Sequence, residues 1–189
     1  MLIVGNGLSR LAYKKEIQNF KGEVWIFNYA FKEKWLARKA TRWAGHTELI
    51  EMAKKYKEKY DYKYDIWGGV SSAEKIFDKN IKAGDSGSTA AWQALREGYD
   101  IWCVGIDLGG WDIYSPEHEK QNKSIWVMRW KRLYKFYKDK IHWIGQDHTE
   151  ILRSPNITKY SSLYTNGKIH IRDEKSRKAI EKFIGKNSK

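Results

Sequence analysis

Short apolar runs separated by longer polar and basic stretches set the rhythm of this chain. Leu2-Ile3-Val4, Val24-Trp25-Ile26-Phe27 and Ile101-Trp102-Cys103-Val104 are continuous rather than alternating, the pattern of strands buried on both faces of a parallel sheet. Leu2 to Val4 is the expected first strand, Ser9 to Ile17 a short helix or turn, and Glu23 to Phe27 a second strand with Asn28 at its end. Arg42 and Trp43 suggest a short strand. Thr47 is expected to cap a helix reaching about Tyr60. The helix has Glu48 and Glu51 early and Lys54, Lys55, Lys57 and Lys59 late, the polarity that the helix dipole favours. Tyr64 to Trp67 reads as a strand ending in the turn Gly68-Gly69, and Ser71 to Asn80 as a helix.

Asp85-Ser86-Gly87-Ser88-Thr89 then leads into Ala90-Ala91-Trp92-Gln93-Ala94-Leu95, and Gly98-Tyr99 precedes the apolar run up to Asp107. A small-residue start, an alanine-rich helix, a glycine stop and a buried strand form an αβ unit of the parallel-sheet kind. A helix is expected from about Ser124 to Tyr137, with Trp126, Trp130, Leu133 and Tyr137 as a core stripe. Lys140 to Gly145 is the last expected sheet strand. A turn at Thr165-Asn166-Gly167, a strand at Lys168 to Ile171 and a basic terminal helix complete the reading. The expected fold is α/β, a single Rossmann-like domain over residues 1–150 with a mostly parallel central sheet. A short lid is expected at about 108–123, and a basic C-terminal extension over 151–189.

Ligands of such sheets gather at the carboxyl ends of the strands. Gly5-Asn6-Gly7-Leu8-Ser9 follows the first strand directly, and glycines between a strand and a helix can aim backbone N–H groups at a phosphate. A tight turn that binds nothing has the same sequence, so further elements must decide. Asn28 and Asp107 also fall at strand ends.

Composition narrows the setting. No stretch is apolar for long enough to span a bilayer, and the first residues form a core strand rather than a cleavable leader. A soluble, cytoplasmic protein is expected, with access to an anionic surface. The single cysteine, Cys103, lies within an apolar strand and reads as a buried hydrophobe in a reducing compartment. Thirty-six Lys and Arg against 23 Asp and Glu leave a formal charge of +13, a field that attracts polyanions. The stretch from Lys120 to Lys140 holds eight basic residues and one acid. Ten Trp and 12 Tyr permit stacking on bases or sugars, but aromatics also fill cores.

Four features occur in one order: Gly5-Asn6-Gly7-x-Ser9, Phe27-Asn28 at a strand end, Ser86-Gly87 opening an alanine-rich helix, and Gly98-Tyr99-x-Ile101-x-x-x-Gly105-Ile106-Asp107. Together they resemble the bacterial sialyltransferases of glycosyltransferase family 42 and related sialyltransferase-like proteins, over roughly residues 1–150. The resemblance implies a nucleotide-sugar donor, a CMP-sugar first of all. It implies donor contacts from Gly5, Asn6, Gly7, Ser9, Asn28, Ser86 and Gly87, and Asp107, at its own strand end, is expected to join them. By the same resemblance His118 is the catalytic base and Tyr114 holds the leaving phosphate. The chain departs from the family pattern in four places. Gly45-His46 stands where a second donor-contacting asparagine is found, Leu8 replaces a proline, the lid is short, and Gly109-Gly110-Trp111 replaces the first lid tyrosine.

Sugar transfer needs an acceptor hydroxyl deprotonated while a phosphate departs, tasks suited to imidazole and to phenol or backbone N–H groups. Asp107 or Glu117 would orient neighbours, and His46 is the second-choice base. His142 and His148 receive no role. No Asp-x-Asp pair occurs, so a metal-independent reaction without cofactor is expected. The acceptor stays open between an anionic glycan, a lipid head group and a nucleic acid, as does the oligomeric state. The rival reading is a non-enzymatic nucleotide- or nucleic-acid-binding protein that kept the fold.

Overall fold

The computed structural model describes the chain except residues 82–83, 109–112, 115–123, 154–172 and 188–189, and leaves aside the side chains of 124, 151 and 183–187. Seven strands form one sheet: β1 (Leu2–Val4), β2 (Val24–Phe27), β3 (Arg42–Ala44), β4 (Asp65–Gly68), β5 (Lys75–Ile76), β6 (Ile101–Val104) and β7 (Ile141–Trp143). Their order is β5-β4-β3-β2-β1-β6-β7, and every neighbouring pair is parallel. This is a Rossmann-like α/β arrangement. The chain lays its first five strands down in one direction from β1, then returns to place β6 on β1's other side. The reversal makes the β1/β6 boundary the switch point where crevices form in such sheets.

The helices are α1 (Lys14–Asn19), α2 (Lys34–Lys39), α3 (Ile50–Tyr60), α4 (Ser86–Arg96), α5 (Ser124–Tyr137), α6 (Thr149–Arg153) and α7 (Glu174–Asn187). Alternation along each strand divides the core in two. Ile3, Trp25, Phe27 and Cys103 pack under α4 and α5, against Ala90, Ala91, Ala94, Val127, Trp130 and Leu133. Leu2, Val4, Val24, Ile26 and Ile66 face Ile17, Leu36, Ile50 and Ala53 on the other side. Cys103 is fully buried there, and burial pushes its thiol pKa up, which keeps it an unreactive hydrophobe.

The expected helix over Ser71 to Asn80 does not form. Glu74 N–H donates to the Ile66 carbonyl at 2.9 Å and Phe77 N–H to the Gly68 carbonyl at 3.1 Å, so the segment pairs as the edge strand β5. Phe77 stacks on Trp25 at 5.8 Å, and this burial together with edge pairing outweighs weak local helix preference. Thr47 opens a 3-10 turn, Thr47–Leu49, that leads into α3 without a side-chain cap. The α4 start matches its sequence signal: the Asp85 carboxylate accepts from Ser88 N–H at 2.9 Å, an ordinary N-cap.

Residues 151–189 include α7, which packs on the 3-10 turn Leu8–Tyr13 that follows the glycine elbow. Ser176 and Ile180 are completely buried, and the Tyr13 hydroxyl donates to Asp173 at 2.7 Å. This helix is therefore docked on the turn that follows the glycine elbow. The expected turn at 165–167 and strand at 168–171 lie outside the described residues.

Candidate functional site

Where β1 and β6 end, the backbone closes tightly. Gly5 N–H donates to the Val104 carbonyl and Gly7 N–H to the Gly105 carbonyl, both at 2.8 Å. Ser9 N–H donates to Asp107 Oδ2 at 2.9 Å, and the Ser9 hydroxyl donates to Asp107 Oδ1. A Cβ on Gly5 would overlap the Gly105 carbonyl, and one on Gly7 would overlap the Asp107 carboxylate. These glycines are needed because two chain segments touch there. The Gly5 and Gly7 amides are engaged with β6 and its extension, so these two glycines give the space above them a close-packed floor and not open N–H donors.

Above this floor lies a cavity of about 570 Å³, well inside the range of small-molecule sites. Gly5, Asn6, Gly7, Asn28, Ser86, Gly87 and Asp107 all line it, so seven of the expected site residues, distant in sequence, meet at the switch point. Ser9 stands beside them and fixes the Asp107 carboxylate.

The two asparagines carry the most telling chemistry. Asn6 is 8 % exposed, and its Nδ2 donates to the Phe27 carbonyl at 3.3 Å, which fixes the amide orientation. Its Oδ1 is buried without a partner, as is the Oδ1 of Asn28. Asn28 sits at φ 47°, a left-handed conformation that asparagine tolerates better than most residues, and its carbonyl accepts from Trp43 Nε1 at 2.8 Å. Strained backbone at Asn28 and unsatisfied acceptors at two neighbouring strand ends are a recognised mark of a binding site.

The opposite wall is the start of α4 together with α5. Asp85, Ser86 and Gly87 face the cavity, and the Arg129 guanidinium pairs with Asp85 at 3.2 Å. Trp126 and Trp130 supply aromatic lining. The expected core stripe on α5 is thus core at Trp130 and Leu133, and its first turn also forms cavity wall.

Tyr114 is placed differently from its expected neighbours. Its hydroxyl donates to Glu33 and accepts from Arg10 Nη2 at 2.9 Å, and burial raises its pKa. Its ring packs edge-on against Tyr29 at 6.2 Å, and it is Tyr29 that lines the cavity. His118 and Glu117 lie outside the described residues.

Some lining residues were not singled out as site residues from sequence. His46, weighed only as a second-choice base, and Glu48 line the cavity from the end of β3. The strand-end rule that pointed to Asn28 applies equally to Gly45-His46 and could have found them. Arg129 was hidden among the many cations of its helix. Among the described residues no group of three or more His, Cys, Asp or Glu is placed to hold a metal ion, and no helix is long and apolar enough to cross a membrane.

His142 and His148 lie elsewhere. His142 stacks on Trp102 with ring centroids 4.6 Å apart. His148 is buried, packs edge-on against Trp143, and has its pKa pushed down to about 4, chiefly by burial.

No family model, curated protein or solved structure matches the chain.

Proposed function

We propose that the cavity binds a nucleotide-activated sugar, a CMP-sugar first of all, and that the protein is a sialyltransferase-like glycosyltransferase. The observation that carries this reading is the pair of buried, unpartnered amide oxygens on Asn6 and Asn28. An unsatisfied buried acceptor costs about 1–3 kcal/mol, and the exocyclic amine of a cytosine or the hydroxyls of a ribose would relieve it. The first turn of α4, with Ser86 and Gly87 at the cavity, supplies the positive helix end that suits a single phosphate. Arg129 stands on the same wall with its guanidinium paired to Asp85.

In this reading an imidazole takes the proton of the acceptor hydroxyl as its oxygen bonds to the anomeric carbon. The bond from that carbon to the phosphate oxygen breaks, and the nucleotide leaves with the electron pair. His118 is the proposed base, and His46 is the second candidate. Tyr114, bonded to Arg10 and Glu33, serves as a positioning residue behind Tyr29. The reaction is proposed to need no metal.

The rival reading, a nucleotide-binding protein without transfer chemistry, draws support from that same engagement of the Tyr114 hydroxyl. Thermal melts with CMP, UMP, CMP-sugars and UDP-sugars, alongside nucleotide release from the sugar donor, test both. Saturating CMP-sugar at ~100 times its Kd adds ~2.7 kcal/mol, or roughly 5–10 °C for a chain of this size. Asn6→Ala should remove most of that shift. His118→Ala should keep the shift and abolish nucleotide release. No shift with any nucleotide overturns the binding site, whereas a shift without release supports the rival.

A further inference from the structure

Among the described residues few large apolar side chains stay exposed, and three of them share one helix. Ile125, Met128 and Phe136 on α5 are 43, 48 and 63 % exposed. They follow one another at helical spacing, with the exposed Arg132 between the last two, so they share one outward stripe. The inward side of the same helix already buries Val127, Trp130, Leu133 and Tyr134. A helix whose only task was to cover the core would carry polar residues on the stripe.

Cations flank it. Lys131, Tyr134, Lys135 and Lys138 line a recess of about 500 Å³ with Leu152 and Arg153 of α6, and among the described residues no carboxylate is part of that lining. Lys131 and Glu150 are each engaged in other interactions, so the positive character rests on Lys135, Lys138 and Arg153, all exposed. Asp139 is the acid next to them in sequence.

We infer that this face docks on the surface of an anionic phospholipid bilayer. Phosphate head groups occupy the recess, while Ile125, Met128 and Phe136 enter the boundary between head groups and acyl chains. The chemistry of the stripe selects this partner over a nucleic acid. Single-stranded binding uses several flat aromatic rings in a cationic groove, whereas this stripe offers one ring, Phe136, beside Ile125 and Met128, which present no π face. Apolar residues standing out between basic ones are the pattern of an interfacial helix. The formal charge of +13 adds long-range attraction to such a surface.

Docking has a geometric consequence for the site. Trp126, Arg129 and Trp130 at the start of α5 line the cavity, and at ~1.5 Å per residue the rise from Arg129 to Lys135 is roughly 9 Å. An acceptor carried by a lipid head group would thus lie near the cavity. The docking itself does not depend on the nucleotide-sugar reading.

Co-sedimentation of the full chain with vesicles tests it, using phosphatidylcholine alone or mixed with phosphatidylglycerol. The protein should sediment with the mixed vesicles only, and less so as salt rises. Lys135→Gln, Lys138→Gln and Arg153→Gln should each weaken binding about fivefold. Met128→Ser and Phe136→Ser should weaken it at unchanged charge. Melting temperatures close to that of the unsubstituted chain would show that these exposed positions leave the fold intact. Equal sedimentation with neutral vesicles, unchanged binding by the glutamine and serine variants, or retention on DNA or RNA without vesicle binding would overturn the inference.

Discussion

A single methyl group at Gly5 would strike the Gly105 carbonyl, and one at Gly105 would lie 2.8 Å from the carbonyl oxygen of Gly5. Both obstacles are backbone, so no side chain can swing aside. Gly5→Ala should cost about 2–4 kcal/mol, seen as a lower melting temperature and a lost nucleotide response; an unchanged melt would contradict the close packing. Gly105→Ala should be at least as damaging, since its φ of 68° adds strain for any side chain. The need for glycine at the elbow was legible in Gly5-Asn6-Gly7. The engagement of its amides was not, because their partners Val104 and Gly105 lie about a hundred residues away and no local pattern announces them. Asn28 was legible for the same reason that Gly5 was: it directly follows an apolar strand. His148 makes a separate residue-scale prediction. Its native pKa of about 4 is below the usual ~6.5, so the unfolded chain binds this proton first as pH falls. The stabilising effect is complete above pH ~6.5 and is lost between ~6.5 and 4, worth about 3 kcal/mol. Denaturant titrations across that range should show the decline, and His148→Phe should flatten it.

At the scale of elements, strands were easier to read than what covers them. β1, β2 and β6 declare themselves as continuous apolar runs, and α5 spans Ser124–Tyr137, matching its periodicity. β5 was misread because two residues of edge pairing leave no periodic trace, and only contact with β4 and Phe77's packing give them their form. α7 looked from composition like a basic appendage. Its buried Ser176 and Ile180 instead press on the turn that carries Ser9 and Arg10. Ile180→Ala should therefore cost about 2–4 kcal/mol in a chemical melt, whereas a loosely attached extension would show almost no change.

For the whole molecule, the parallel α/β class followed from the alternation of apolar runs and helical stretches, but the order of the strands did not. Continuous hydrophobicity shows that a strand is flanked on both sides without naming its neighbours. The site is accordingly a product of topology. Asn6, Asn28, Ser86 and Asp107 come from four separate strand ends or helix starts, and only the reversal at β1 brings them to one cavity.

That reversal also orders events during synthesis. β2 can pair with β1 soon after both emerge, but the other side of β1 must await β6, whose register sets Leu2 against Trp102. Until Ile101–Val104 has emerged, Leu2-Ile3-Val4 presents an unprotected, strongly hydrophobic border to neighbouring nascent chains. Slowing translation ahead of β6 would lengthen this exposure and favour aggregation over folding.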